Sequence, residues 1–124
     1  MNVEKLSDLH GQVTLIEQGD YVSSLACAHV AVLAAGSSLW EACAVGTPSI
    51  GLVVADNQVA SANAAAKLGF TRVIDCRKSF SVEAVKREIE ACILGGTTEM
   101  RGAALSMGIA NGASLVASEL GVIA

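Results

Sequence analysis

The sequence predicts an α/β fold: a Rossmann-like parallel sheet of about four strands with flanking helices. The main observation is an alternation, repeated three times, between a short apolar run rich in β-branched residues and a helical segment, which is typical of parallel strands joined by crossovers. The chain has 124 residues, of which 52% are hydrophobic and only 3% aromatic, so small-faced helices can pack closely on a sheet. We therefore expect one domain over residues 1–124.

The predicted strands are runs with the length and composition of β-structure. The second and third are continuously apolar, as expected of strands covered on both faces. The four runs cover residues 13–17, 29–35, 49–54 and 71–75.

The predicted helices lie between and after these runs, with glycine marking several ends. Gly46, followed by Pro48, ends the second helix, Gly69 ends the third, and a glycine pair at residues 95–96 ends the fourth. The fifth contains several glycines, which predict close packing or a break near Asn111-Gly112. The five predicted helices cover residues 21–28, 39–45, 59–68, 82–94 and 99–120.

Charge and cysteine content exclude several classes of function. The formal net charge is −4, so the long-range field repels a polyanion and we expect no nucleic-acid partner, although local N–H groups can still hold one diphosphate. The four cysteines are far apart and lack histidines at ligand spacing, which predicts reduced, mostly buried thiols and no metal site. We predict neither a signal peptide nor a membrane span, and therefore a cytoplasmic protein without a membrane partner.

The most informative segment is the loop Gly36-Ser37-Ser38, which joins the second predicted strand to a helix containing Glu41. Loop N–H groups and a first helical turn that point the same way form a concave site for phosphate oxygens. Alternatively, Ser38 and Glu41 have the spacing of a capping box, in which each side chain bonds the other's backbone N–H. Both interpretations stay open from these residues alone.

A second polar cluster, Asp56-Asn57-Gln58, follows the next predicted strand. Ligands of parallel α/β sheets bind beyond the carboxyl ends of the strands. Taken singly, the cluster is typical of a turn and helix cap. Two polar loops on neighbouring strands at one sheet edge nevertheless favour a cleft there.

Residues 30–58, VAVLAAGSSLWEACAVGTPSIGLVVADNQ, together with the following helix that ends in Lys67-Leu-Gly, resemble the UDP-sugar hydrolases of pseudaminic acid biosynthesis. More loosely, they are similar to the peptidoglycan N-acetylglucosaminyltransferase, another GT-B-type protein. The resemblance reaches residues 111–116, NGASLV, where such proteins often have Asp-Gly-x-Gly-Ala. It implies a truncated GT-B C-terminal domain, the nucleotide-sugar-binding half.

The resemblance also implies a role for each polar residue of the two loops. It places Gly36, Ser37 and Ser38 at the diphosphate, Glu41 at the ribose hydroxyls, and Asn57 and Gln58 at the diphosphate-sugar end. It implies no cofactor. The family's catalytic histidine belongs to an N-terminal domain that this sequence lacks, and neither His10 nor His29 replaces it. We therefore expect no UDP-sugar turnover by the isolated chain.

Two functions from different classes follow. The first is a UDP-sugar-binding module, weak on its own, to which a separate chain carrying the N-terminal half could add catalysis. The second is a captured gene fragment that survives as a stable, self-associating protein without nucleotide binding. In both, loss of the family's opening strands would leave apolar surface. We therefore expect a homo-oligomer and direct pairing of the strand at residues 13–17 with the strand at residues 29–35.

Overall fold

The computed structural model describes residues 21–108, which form an α/β fold around a three-stranded parallel sheet. The strands are β1 (Ala31–Ala34), β2 (Ser49–Val53) and β3 (Thr71–Asp75), and they lie in the order β1-β2-β3. Leu33 pairs with Gly51, which in turn pairs with Val73. The predicted α/β class and parallel sheet are confirmed. The strand expected at residues 13–17 lies outside the described residues, so its pairing stays a prediction.

Helices alternate with the strands and continue beyond β3. In the part of the chain that the structure describes, no helix is long and apolar enough to span a membrane. A 3₁₀ turn over Asp56–Gln58 precedes the third helix, and a wide π-type turn over Cys92–Gly96 connects the last two. The helices are α1 (Tyr21–Cys27), α2 (Ser37–Val45), α3 (Val59–Leu68), α4 (Val82–Ala91) and α5 (Thr97–Ser106).

The alternating side chains of β2 contribute to two hydrophobic cores, one on each face of the sheet. Ile50 and Leu52 pack with buried residues of α4, whereas Val53 packs with buried residues of α2 and α3. Alanines of α3 let that helix lie close to the sheet, as the small-residue composition predicted. The first core contains Ile50, Leu52, Val85, Ile89, Cys92 and Met100, and the second contains Ala35, Leu39, Cys43, Val53, Ala62, Ala65, Phe70 and Ala104.

β1 is less buried than its continuous apolar sequence predicted. Ala31, Val32 and Leu33 are half-buried and Ala34 is exposed, whereas every residue of β2 is buried. Among the described residues, β1 pairs with β2 on one side only. Within residues 21–108 β1 is therefore an edge strand, and an edge strand lacks the neighbour that covers a central one.

Glycine ends two helices where the sequence predicted it. Gly46 has φ +78° and Gly69 has φ +89°, and both N–H groups donate to carbonyls of the preceding turn. The left-handed region is accessible to glycine because it lacks a Cβ atom. The turns after α2 and α3 bring the chain back to begin β2 and β3.

Other helix ends differ from the predictions. α2 begins at Ser37 rather than residue 39, because Gly36 serves as the N-cap residue. α4 ends at Ala91 rather than residue 94, and the wide turn that follows leads into α5 through Gly95, whose backbone is not helical. α5 covers Thr97–Ser106 instead of residues 99–120, and the break expected at Asn111-Gly112 lies outside the described residues.

Candidate functional site

The candidate site lies beyond the carboxyl ends of β1 and β2. Gly36 follows β1 by two residues, and the 3₁₀ turn Asp56–Gln58 begins three residues after β2. Because the two strands are parallel neighbours, both loops leave the same edge of the sheet. A Cβ atom placed on Gly36 would lie 3.8 Å from Nε2 of Gln58. The two predicted loops therefore lie side by side.

The first turn of α2 has backbone donors at this edge that lack an acceptor within residues 21–108. Its N-cap residue is Gly36, which has no side chain that could accept a hydrogen bond from the first turn. The Leu39 N–H donates to the Gly36 carbonyl at 3.2 Å. The N–H groups of Ser37 and Ser38 have no acceptor among the described residues. Such groups at a helix start carry the positive end of the helix dipole. They can donate to an anion.

The capping box predicted for Ser38 and Glu41 is not formed. Ser38 lies inside α2 as its second residue, so its side chain is not in the N-cap position that a capping box requires. This alternative depended on a helix that begins at residue 39, whereas α2 begins two residues earlier. Glu41 is exposed, and it lies four residues after Ser37, a spacing that puts both on one face of the helix.

Gln58 is held by its own loop. Its Oε1 accepts a hydrogen bond from the Val54 N–H at 2.8 Å, and its backbone N–H donates to the Ala55 carbonyl at 3.1 Å. With Oε1 engaged at the end of β2, Nε2 is the end that lies near Gly36. An amide NH₂ is a donor group, so it adds to the donors of α2. Asn57, in the same turn, is exposed.

Packing fixes the start of α2 against the sheet. Leu39 is fully buried and lies over Gly51, where an added Cβ atom would be 3.1 and 3.2 Å from its two methyl carbons. The neighbouring Trp40 donates from Nε1 to Ser61 Oγ of α3 at 2.8 Å. Its ring meets that of Phe70 edge-on at 5.4 Å. The donors of Ser37 and Ser38 therefore belong to a well-supported helix.

Sequence reasoning missed Arg77, which follows β3 at the same edge. Its Nε and Nη2 donate to the two carboxylate oxygens of Asp75 at 2.9 and 2.7 Å, and its Nη1 donates to Asp56 at 3.0 Å. These bonds lower the pKa of Asp75 to about 2 and raise that of Arg77, so both stay charged at neutral pH. The signal in the sequence was an Asp-x-Arg pattern directly after a strand.

The described residues contain no group of three or more histidine, cysteine, aspartate and glutamate side chains placed to hold a metal ion. All four cysteines are free, and Cys43 and Cys92 are buried, which raises the pKa of both thiols. The sequence predicted mostly buried thiols, but Cys27 is exposed. His29 is exposed ahead of β1, and His10 lies outside the described residues.

Comparisons with protein-family models, curated proteins and solved structures give no match for this chain. The chain forms a small Rossmann-like α/β domain in which two polar loops lie at one edge of a parallel sheet.

Proposed function

We propose that this domain binds a nucleotide sugar of the UDP-sugar class at the carboxyl edge of β1 and β2. The observation that carries the proposal is the pair of N–H groups on Ser37 and Ser38, which lack acceptors among the described residues and begin a helix beside a parallel sheet. A helix start of this kind stabilises phosphate through hydrogen bonds and the helix dipole. Because these donors act only on nearby groups, they can bind phosphate although the chain has a net charge of −4.

The neighbouring polar residues supply the remaining contacts. Gln58 lies against Gly36 and offers its amide NH₂ to the diphosphate or the sugar, and Asn57 extends the same loop. Glu41 is exposed on α2, one turn beyond the phosphate donors, where its carboxylate can accept hydrogen bonds from two ribose hydroxyls. This order of phosphate, ribose and sugar contacts is the one that the family resemblance implies.

The proposed activity is binding without bond cleavage. In this proposal, a separate chain that carries the other half of a GT-B-type enzyme would supply the catalytic groups. The domain would then hold the nucleotide while the partner acts on the sugar.

The ribose role of Glu41 can be tested by calorimetric titration with UDP and with pyrophosphate. We expect Glu41→Ala to lower the affinity for UDP about 10-fold, because hydrogen bonds to a charged group are among the stronger ones. The affinity for pyrophosphate should change little. Glu90→Ala, which removes an equal charge from an exposed position on α4, should leave both affinities unchanged. Equal losses for UDP and pyrophosphate in Glu41→Ala would contradict a ribose contact, and no heat from millimolar UDP with the wild-type chain would overturn binding itself.

The second candidate function, self-association without nucleotide binding, is favoured by apolar exposure around the last two helices. Leu94 is 85% exposed, Ile93 is 48% exposed, and Leu105 of α5 is 58% exposed. Ile93 and Leu94 are adjacent in the turn between these helices, and exposed apolar patches commonly mark a protein contact.

Light scattering at micromolar concentration tests this candidate. We expect a mass of at least twice the 12.6 kDa of one chain, and a partial shift toward monomer in Leu94→Glu. A wild-type protein that is monomeric under these conditions would rule out the oligomer.

A further inference from the structure

Arg77 connects the ends of two strands through one guanidinium group. Two of its nitrogens donate hydrogen bonds to the carboxylate of Asp75 at the end of β3, and the third donates to Asp56 in the loop after β2. The backbone N–H of Arg77 also donates to Asp75, at 3.0 Å. All three N–H-bearing nitrogens of the side chain are therefore engaged.

This geometry differs from an isolated surface ion pair, which contributes little to stability. A bidentate contact fixes the plane of the guanidinium, so the remaining nitrogen points in one direction. Lysine could not do the same, because its ammonium group has no rigid fork. Asp75 therefore orients Arg77, and Arg77 makes one hydrogen bond to Asp56, whose side chain is 94% exposed with this bond in place.

Asp56 is the first residue of the turn that presents Gln58. The turn is short, Asp56–Gln58, and its carbonyl at Asp56 accepts the Val59 N–H at the start of α3. Within it, Gln58 reaches back to the Val54 N–H and places Nε2 beside Gly36. Asp56 and the amide of Gln58 therefore belong to one short turn, whose Gln58 end lies beside the loop that begins α2.

We propose that Arg77 is a positioning residue of the candidate site: by holding Asp56 to the end of β3, it fixes the turn that sets Gln58 against Gly36. The ligand consequence rests on the proposed nucleotide binding. The positioning itself does not, because it is a property of the chain without ligand.

The Val54 N–H reports the position of Gln58 directly, and its hydrogen exchange can be measured by NMR. We expect Arg77→Gln and Asp56→Ala each to speed Val54 exchange roughly 3- to 10-fold, the effect of weakening one hydrogen bond. The double variant should exchange no faster than Asp56→Ala alone, since Arg77 acts through Asp56. Lys78→Gln, an equal charge change at the adjacent residue, should leave Val54 unchanged. The proposal would be overturned if Val54 exchanged at the wild-type rate in Arg77→Gln. It would also be overturned if the double variant exchanged faster than Asp56→Ala by the factor that Arg77→Gln gives alone.

A UDP titration followed by Trp40 fluorescence separates this proposal from the proposed function. Trp40 is the only tryptophan of the chain and immediately precedes Glu41. We expect UDP affinity to fall about 3- to 10-fold in Arg77→Gln and not in Lys78→Gln, parallel to the loss of Val54 protection. Faster Val54 exchange with unchanged UDP affinity would overturn the link to the ligand. If calorimetry shows no UDP binding by the wild-type chain, the proposed function fails, and Val54 exchange still decides whether Arg77 positions the turn.

Discussion

Replacing Gly51 by valine is expected to destabilise the domain by about 2–3 kcal/mol, because a buried site is overpacked. Gly51 lies in the middle of the central strand, and an added Cβ atom would meet the methyl carbons of Leu39 at 3.1 and 3.2 Å and Thr71 Oγ1 at 3.5 Å. Leu39 is fully buried and belongs to the core between α2, α3 and the sheet. Denaturant unfolding of the two proteins measures the loss, which is a large part of the stability of a small domain.

Gly102→Ala is the matched control for this substitution. Gly102 lies within α5, and no atom of residues 21–108 outside its own helix backbone and chain neighbours lies within 4 Å of an added Cβ atom. We expect a gain of about 0.5–1 kcal/mol, because alanine restricts the unfolded chain and favours helix. A Gly51→Val protein as stable as the wild type would contradict the close approach of α2 to β2, and with it the placement of the candidate site.

Replacing Ser38 by aspartate is expected to separate ligand binding from folding. A carboxylate in the first turn of α2 interacts favourably with the helix dipole, so stability should stay constant or rise by about 0.3–1 kcal/mol. The same charge repels a diphosphate at the N–H groups of Ser37 and Ser38. We expect UDP affinity to fall roughly 10- to 100-fold, the effect of a like charge near a partly screened surface site.

Thr98→Asp provides the control, since Thr98 is the second residue of α5 as Ser38 is of α2. It should change stability similarly and leave UDP binding intact. Calorimetric titration and thermal unfolding of the two variants give both quantities. If Ser38→Asp binds UDP as tightly as the wild type, the ligand does not lie at the start of α2.

Much of this fold was predictable because local and tertiary signals agree. The apolar run before Gly36 ends at a glycine, and the strand at residues 71–75 has the length and β-branched composition of a strand. Gly46 and Gly69 end helices through a backbone conformation that other residues avoid. Alternation of strand and helix then leaves a parallel sheet as the simplest topology. The observed β3 and α3 have the predicted bounds for this reason.

What the sequence did not reveal depends on tertiary contacts. The start of α2 was misplaced because Ser38 suits an N-cap by composition, whereas Gly36 is the N-cap residue and the helix begins at Ser37. The network of Arg77 was missed because it joins residues 21 positions apart, and charged residues after a strand are usually solvated. The position of Gln58 beside Gly36 likewise requires the register of β1 against β2.

Binding of the UDP diphosphate by the loop at the start of α2 can be tested by an amide NMR titration with UDP. We expect millimolar UDP to shift the backbone amides of Ser37 and Ser38 and the side-chain amide of Gln58 more than any others. Uridine without phosphate should leave the serine amides unchanged. Absence of shifts at these amides, or shifts confined to the opposite edge of the sheet, would show that the diphosphate does not bind at the start of α2.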